Sequence, residues 1–199
     1  MKGNSVENLD HELIAYDNIF KQMEANKILV ITTGGTIDKT YNERKGRLEN
    51  IDRNIENNLK KLLRLPGTQI EFVSLMQKDS LHMTCADWEV ICSTIEEYQY
   101  FANPIVVLHG TDTLEYTVQY CSQKIPRPKV PIVFTGAMKP FGFVDSDAIQ
   151  NVCEAFLVAK LLKPNFYVSF HNRVFLGNNV QKNKDTLTFE TKEPATVPC

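Results

Sequence analysis

Short, continuous apolar runs recur along the chain, and each one stops at glycine or polar turn residues. Runs of this length with polar ends are typical of strands that are buried on both faces of a sheet. The pattern predicts five such strands, at 28–31, 70–75, 105–108, 132–134 and 166–170.

Between these runs, apolar residues recur every three or four positions, as they do along one face of a helix. Thr84 and Asp87 have the spacing of a capping box, which favours a helix start at this point. The spacing predicts helices at about 51–64, 85–101, 113–124 and 148–162.

The alternation of strands and helices favours parallel strands that are joined by right-handed crossovers. We therefore predict an α/β fold with one domain: a three-layer, open, mostly parallel sheet with helices on both faces, as in Rossmann-like and flavodoxin-like proteins. This domain would cover residues 27–190. An amphipathic pattern over 1–26 predicts an N-terminal helical extension, and 191–199 is expected to be a loosely held tail.

Composition narrows the classes of partner. The 199 residues include 22 Lys plus Arg and 24 Asp plus Glu, and the formal net charge is −2. This balance gives no bulk attraction for nucleic acid or for a membrane surface, so neither is expected as a partner. No apolar stretch reaches the ~18 residues of a membrane span, and the first ten residues lack a signal-peptide core, so we expect a cytoplasmic protein.

The five cysteines form no C-x-x-C pair and no grouping with zinc-site spacing. We expect reduced, mostly buried thiols, and neither a metal nor a cofactor. The sequence also has no G-x-G-x-x-G, G-x-x-x-x-G-K-[ST] or G-x-S-x-G motif, which disfavours nucleotide binding and a serine-hydrolase site.

A polar, turn-forming cluster directly follows each predicted strand. The carboxyl ends of parallel strands share one edge of a sheet, and open α/β folds bind their ligands there. Loops of such folds are polar in any case, but the coincidence of five clusters favours a site at this edge. The clusters are 32–36, 77–80, 109–113, 135–138 and 171–173.

Threonine, aspartate and lysine are the chemically useful residues of these clusters. The four histidines are scattered along the chain, and we expect each to have a structural role or to lie on the surface. A threonine hydroxyl becomes a nucleophile when a neighbouring base takes its proton, and β-branching limits its rotation. Threonine is therefore a suitable nucleophile for a site of this composition.

Three segments of this edge resemble motifs of the bacterial-type L-asparaginase/glutaminase family, in the same order and at similar spacing. They are the TGGTI of 33–37, the HGTDT of 109–113 and the GAM of 136–138. The similarity covers about residues 27–190. Segments 78–84 and 173–183 are similar to a short, single-domain branch of that family.

The resemblance implies an amidohydrolase that converts a small side-chain amide, L-asparagine by default, to the carboxylate and ammonia. Thr36 would attack the amide carbonyl, and Tyr41 would hydrogen-bond the Thr36 hydroxyl. Thr111, Asp112 and Lys182 would form a second constellation, in which lysine and aspartate activate the threonine or a water. Lysine must lose its proton to act as a base, which burial favours and a neighbouring carboxylate opposes.

The resemblance also implies how a small amide-bearing amino acid would bind. Ser80 would hold its α-carboxylate and Asp112 its α-ammonium. Ala137 would offer its backbone carbonyl to the leaving amide nitrogen. The expected substrate-binding set is completed by Gly35, Asp79 and Gly110.

Two departures from the two-domain relatives bear on the substrate. Leu81 and His82 replace a polar residue and an aspartate beside the expected ammonium position. The smaller C-terminal domain of those relatives, which supplies a carboxylate for the ammonium across a dimer, has no counterpart in the chain as printed. We therefore predict the type of reaction more firmly than the identity of the substrate.

Two alternatives remain at this stage: a non-catalytic binder of a small amino acid that keeps the same pocket, and a Rossmann-like nucleotide module, which the missing phosphate loop disfavours. We also expect a homodimer or higher homo-oligomer, because apolar helical faces remain to be covered.

Overall fold

The computed structural model describes residues 27–50, 55–101 and 103–192. The strands are β1 (Lys27–Gly34), β2 (Thr40–Asn42), β3 (Arg47–Glu49), β4 (Gln69–Lys78), β5 (Ile105–Leu108), β6 (Ile132–Thr135), β7 (Phe166–Phe170), β8 (Arg173–Leu176), β9 (Gln181–Asn183) and β10 (Thr188–Glu190). The helices are α1 (Ile55–Leu62), α2 (Cys85–Tyr98), α3 (Leu114–Lys124) and α4 (Ala148–Leu161).

Six strands form one sheet in the order β4-β1-β5-β6-β7-β8, and all neighbouring pairs are parallel except β7 with β8. The predicted α/β fold with a mostly parallel sheet is confirmed, and all five predicted strands are present in it. The predicted N-terminal helix at 1–26, the start of the first predicted helix at 51–54 and the tail residues 193–199 lie outside the described residues.

Helices cover both faces of the sheet, because successive residues of each central strand point to opposite sides. Leu29 and Ile31 of β1 belong to a buried cluster with residues of α2 and α3. Ile28 and Val30 belong to a second buried cluster with residues of α1 and α4. The core therefore lies in two layers, and the loops at the carboxyl edge of the strands are left free for a site.

Helix α2 begins where the sequence predicts. The Thr84 backbone N–H donates to the Asp87 carboxylate over 2.6 Å, so the capping box is formed. The helix ends at Tyr98, and the last predicted turn is a 3-10 helix at Gln99–Phe101.

Three short pairings were not predicted. β8 returns antiparallel to β7 after a turn in which His171 and Asn172 have φ of 47° and 58°. The hairpins β2–β3 and β9–β10 contain three residues in each strand. Such short strands have too few positions to show an alternating pattern, and the cluster at 171–173 predicts a turn after β7 but not the antiparallel return of β8.

All four cysteines that the structure describes are free. Cys92 and Cys121 are buried, but Cys85 and Cys153 are exposed, so the expectation of mostly buried thiols is wrong for these two. In the described ranges, no helix is long and apolar enough to cross a membrane.

Candidate active site

The loops after β1 and β5 and the turn after β4 meet at the carboxyl edge of the sheet with almost no space between them. Gly35 has φ of 81°, and a Cβ on it would lie 2.4 Å from the Cα of Gly110. A Cβ on Gly110 would lie 2.5 Å from the Ser80 Oγ. Both positions require glycine for this approach. The structure thus brings together three of the residues predicted to form the site.

Thr36 directly follows this contact and begins the 3-10 turn Thr36–Asp38. Its side chain is half-buried, and its hydroxyl has no hydrogen-bond partner among the described residues. The backbone of the turn is held by hydrogen bonds from Asp38 N to Gly35 O and from Lys39 N to Thr36 O, both 3.2 Å. The Thr36 hydroxyl is therefore free to contact a ligand.

Tyr41 lies on β2, and its side chain is 63% exposed. A Cβ on Gly46, at the tip of the β2–β3 hairpin, would lie 3.9 Å from the Tyr41 hydroxyl. The predicted hydrogen bond between Tyr41 and Thr36 is not formed in this structure. A role for Tyr41 at Thr36 stays a prediction.

The second predicted constellation is assembled. The Lys182 ammonium donates to Thr111 Oγ1 over 2.8 Å and to Asp112 Oδ1 over 2.7 Å. Thr111 is 3% exposed, and the Lys182 side chain is 12% exposed. Asp112 keeps 32% of its side chain exposed, so solvent screens this ion pair in part, but less than it screens a pair that is fully on the surface. The Lys182 backbone N–H also donates to the Glu115 carboxylate on the first turn of α3, which fixes β9 beside that helix.

His109 stabilises the loop that carries Thr111 and Asp112. It is fully buried, and burial lowers its pKa to about 4, which makes it neutral at physiological pH. Its Nδ1 lies 2.7 Å from Gly110 O and its Nε2 lies 3.0 Å from Thr117 Oγ1. A neutral ring that donates through Nδ1 and accepts through Nε2 satisfies both contacts. The expected structural role of this histidine is consistent with these contacts.

Asp79 and Ser80 line the other side of the glycine contact. Burial of Asp79 opposes its ionisation, but the hydrogen bonds from Lys39 Nζ, at 2.6 Å, and from Leu81 N outweigh it, so the pKa of Asp79 is lowered. The Thr113 hydroxyl donates to Ser80 O over 3.0 Å and fixes the turn. The Ser80 Oγ itself is buried and has no partner among the described residues, so its hydrogen-bonding capacity is unsatisfied.

Ala137 is fully buried in the loop after β6. The Asn151 amide donates to Gly136 O over 3.0 Å, and the Asp147 carboxylate accepts from Met138 N over 3.0 Å. Burial of Asp147 opposes its ionisation, but the backbone donors Met138 and Lys139 and the ring of His171, at 3.0 Å, outweigh it, and its pKa is lowered. A charged carboxylate thus holds the loop that carries Ala137.

Sequence reasoning did not single out Lys39, Asp147 and Asn151, which hold the predicted residues in place. Asp147 and Asn151 lie at the start of α4 on no recognisable motif, so only the fold reveals their contacts. In the parts of the chain that the structure describes, no group of three or more His, Cys, Asp or Glu side chains has the arrangement of a metal site.

Comparison with known proteins agrees with this geometry. The family model described as "Asparaginase, N-terminal" matches residues 27–196. The L-asparaginase of Thermococcus kodakarensis is 35% identical over 156 residues, which are 78% of this chain and 47% of that protein. L-asparaginase 1 of Escherichia coli (strain K12) is 31% identical over 171 residues, which are 80% of this chain and 48% of that protein.

Structural comparison gives the same result. The structure of the thermostable L-asparaginase from Thermococcus kodakarensis matches with a TM-score of 0.74 and 32% identity, over 83% of this chain and 51% of that chain. The chain spans about half the length of the curated relatives it matches. The motifs, the fold and the matched residues together show that the chain belongs to the asparaginase family and corresponds to its N-terminal region.

Proposed function

We propose that the protein is an asparaginase-type amidohydrolase with Thr36 as its nucleophile and L-asparagine as its default substrate. The reaction consumes one water and releases the carboxylate and ammonia. The observation that carries the proposal is the contact of the buried Lys182 ammonium with Thr111 Oγ1 and Asp112 Oδ1, beside the glycine contact from which Thr36 projects.

In the first step, the Thr36 Oγ attacks the side-chain amide carbonyl and forms an acyl ester as the C–N bond breaks. The leaving nitrogen takes up the hydroxyl proton of Thr36 and departs as ammonia, which gains a proton from solvent at neutral pH. In the second step, water attacks the ester and the acyl group leaves Thr36 as the carboxylate. One proton of the water goes to the Thr36 oxygen and the other goes to solvent. Backbone N–H groups of the turns at Thr36 and Thr111 would stabilise the oxyanion, each typically worth about 10²–10³ in rate.

The substrate-binding roles follow from the polar groups of the same edge. The unpartnered Ser80 Oγ supports its assignment to the α-carboxylate, because a buried hydroxyl without a partner gains most from a charged acceptor. The buried Ala137 backbone, held by Asp147 and Asn151, supports a fixed carbonyl for the leaving nitrogen. Asp112 would contact the α-ammonium through the oxygen that Lys182 leaves free.

A non-catalytic binder of a small amino acid is the second candidate. The observation that favours it is the exposed Tyr41, which makes no hydrogen bond with Thr36. Calorimetry with L-aspartate and L-asparagine distinguishes the two: tight binding of both ligands without ammonia release would establish the binder.

The test of the proposed reaction is ammonia release from a panel of amides that includes L-asparagine. Thr36→Ala and Thr111→Ala should each abolish release while L-aspartate still binds. Thr94→Ala is the matched control, because it removes a threonine hydroxyl that bonds only to Val90 O on α2. Release that is equal in Thr36→Ala and in the wild type would exclude Thr36 as the nucleophile.

We also propose a homodimer or higher homo-oligomer. Ile149 and Leu157 are 41% and 52% exposed on α4, and the exposed Cys153 lies between them at the same helical spacing. Exposed apolar stripes of this kind are typical of contact surfaces. Light scattering at micromolar concentration tests this, and a monomer mass would contradict it.

A further inference from the structure

A polar cavity of about 540 Å³ opens beside the candidate site, between the β2–β3 hairpin and the turn that follows β4. It shares Asp79 with the site and extends away from it along the hairpin. Small-molecule sites typically measure about 300–1,000 Å³. The cavity adds room beyond that needed by a free amino acid. Its charged and titratable wall residues are Lys39, Lys45, Arg47, Glu49, Asp79 and His82.

The wall of this cavity carries more positive than negative charge. Lys39 and Asp79 neutralise each other over 2.6 Å. Lys45 and Arg47 both reach the same carboxylate oxygen of Glu49, at 3.2 and 2.5 Å. Asn42 donates to the other oxygen, and these donors lower the pKa of Glu49 to about 2. One carboxylate shared by two cations leaves one positive charge without a counterion.

The cavity also has polar groups that lack a partner. Asn50 Oδ1 and Gln77 Nε2 are buried and make no hydrogen bond to any described residue. Both residues line the cavity. A ligand that offers both an N–H donor and a C=O acceptor, as a secondary amide does, would satisfy them.

The carboxylates of the site are already paired. Asp112 accepts from Lys182 and Asp79 accepts from Lys39, at 2.7 and 2.6 Å. A free α-ammonium on the second oxygen of Asp112 would therefore share a carboxylate whose charge Lys182 already neutralises. Acylation of the substrate nitrogen avoids placing two cations on one carboxylate, because the nitrogen then carries no charge.

We propose that the cavity holds an acidic acyl group on the α-nitrogen of the substrate, so that an asparagine acylated by a carboxylate-bearing group is preferred over free asparagine. The surplus cation of the hairpin contacts the additional carboxylate, and Asn50 and Gln77 contact the acyl amide. This assignment rests on the proposed function, since it names the substrate class of the same site.

The experiment compares three substrates in the wild type: L-asparagine, N-acetyl-L-asparagine and N-succinyl-L-asparagine. The succinyl compound should have a kcat/KM about 10-fold or more above that of the acetyl compound, because only the succinyl group has a carboxylate for the hairpin cations. The double variant Lys45→Gln/Arg47→Gln should reduce this ratio to about 2-fold. The ratio within one variant is independent of the fraction of folded protein.

The matched control is Lys61→Gln/Lys163→Gln, which removes two exposed lysines outside the cavity and should retain the wild-type ratio. Equal kcat/KM for the two acylated compounds, or a ratio that the hairpin variant retains, would overturn the proposal.

Calorimetry with the product N-succinyl-L-aspartate separates this proposal from the proposed function. Binding that is about 10-fold tighter than that of N-acetyl-L-aspartate, without turnover of any amide, would support the cavity assignment and overturn the hydrolase. Hydrolysis of free asparagine with no gain from the succinyl group would support the hydrolase and overturn the cavity assignment.

Discussion

Lys182 Nζ donates to Thr111 Oγ1 over 2.8 Å although 71 residues separate them in the chain. The β9–β10 hairpin makes this contact possible. Lys182 is the cross-strand partner of Phe189, so both side chains project from the same face of the hairpin. Phe189 is fully buried and packs edge-on against Phe170 at 5.0 Å between ring centroids. The aromatic contact thus fixes the hairpin on the core and directs the lysine into the site.

Replacing Lys182 by Met should remove the ammonium while it keeps the length and apolar stem of the side chain. We expect ammonia release to fall by about 100-fold or more, because Thr111 and Asp112 lose their shared donor. Lys184→Met is the control, since Lys184 lies two residues further on and is exposed. A Lys182→Met variant that retains full activity would contradict the proposed constellation.

Replacing Gly35 by Ala should destabilise the domain by about 3 kcal/mol, from the strained left-handed backbone and the overlap with Gly110. Urea unfolding measures the change in free energy. Gly142→Ala is the control, because a Cβ on Gly142 meets no atom within 4 Å, and its effect should stay within about 0.5 kcal/mol. Similar unfolding midpoints for the two variants would show that the loops after β1 and β5 are less tightly packed.

How far sequence reasoning reaches is clearest at β1. Its apolar run predicts a buried strand, and the double glycine after it predicts a turn, but only the fold shows that Gly35 meets Gly110 and Ser80. Long, periodic elements are set by local pattern and are predictable. The strands of the β2–β3 hairpin are too short to show a pattern, and the contact of Lys39 with Asp79 joins residues 40 positions apart, so no local pattern indicates either.

The candidate site was predicted through family motifs. Thr111 and Asp112 lie in the HGTDT motif. Lys182 lies in a polar segment that contains no comparably distinctive motif. Its position beside Thr111 depends on how Phe189 docks the hairpin. The sequence does not show which residues hold these motifs in place, such as Asp147, which binds the loop that carries Ala137.

The stability of the domain should fall between pH 6.5 and 4 because His109 is buried. Its pKa is about 4 in the folded state against 6.5 for an ordinary histidine. In this window the unfolded chain binds a proton that the folded chain excludes, so stability is lost as pH falls. At pH 4 the free energy of unfolding should therefore be about 3 kcal/mol lower than at neutral pH.

The measurement is the free energy of unfolding of the wild type and of His109→Asn at several pH values. Asparagine keeps a donor for Gly110 O but has no titrating group. The stability of His109→Asn should therefore not show the loss between pH 6.5 and 4 that His109 causes. His82→Asn replaces an exposed histidine and should follow the wild type. Parallel curves for the wild type and His109→Asn would show that the His109 ring does not account for the acid sensitivity.

Replacing Asp147 by Asn should loosen the loop that carries Ala137. The carboxylate accepts from Met138 N and Lys139 N and pairs with His171, and the amide can replace only part of this set. We expect a loss of about 2 kcal/mol in stability and a raised KM, because these charge-assisted bonds fix the loop where the leaving nitrogen is held.

Asp145→Asn is the matched control for this change. Asp145 lies two residues earlier, is exposed, and pairs with the exposed end of Lys139, so its loss should leave both stability and KM close to the wild type. Thermal unfolding and steady-state ammonia release measure the two effects separately. If Asp147→Asn lowers the melting temperature without raising KM, Asp147 stabilises the fold but does not position the substrate, and the role of the Ala137 carbonyl must be assigned elsewhere.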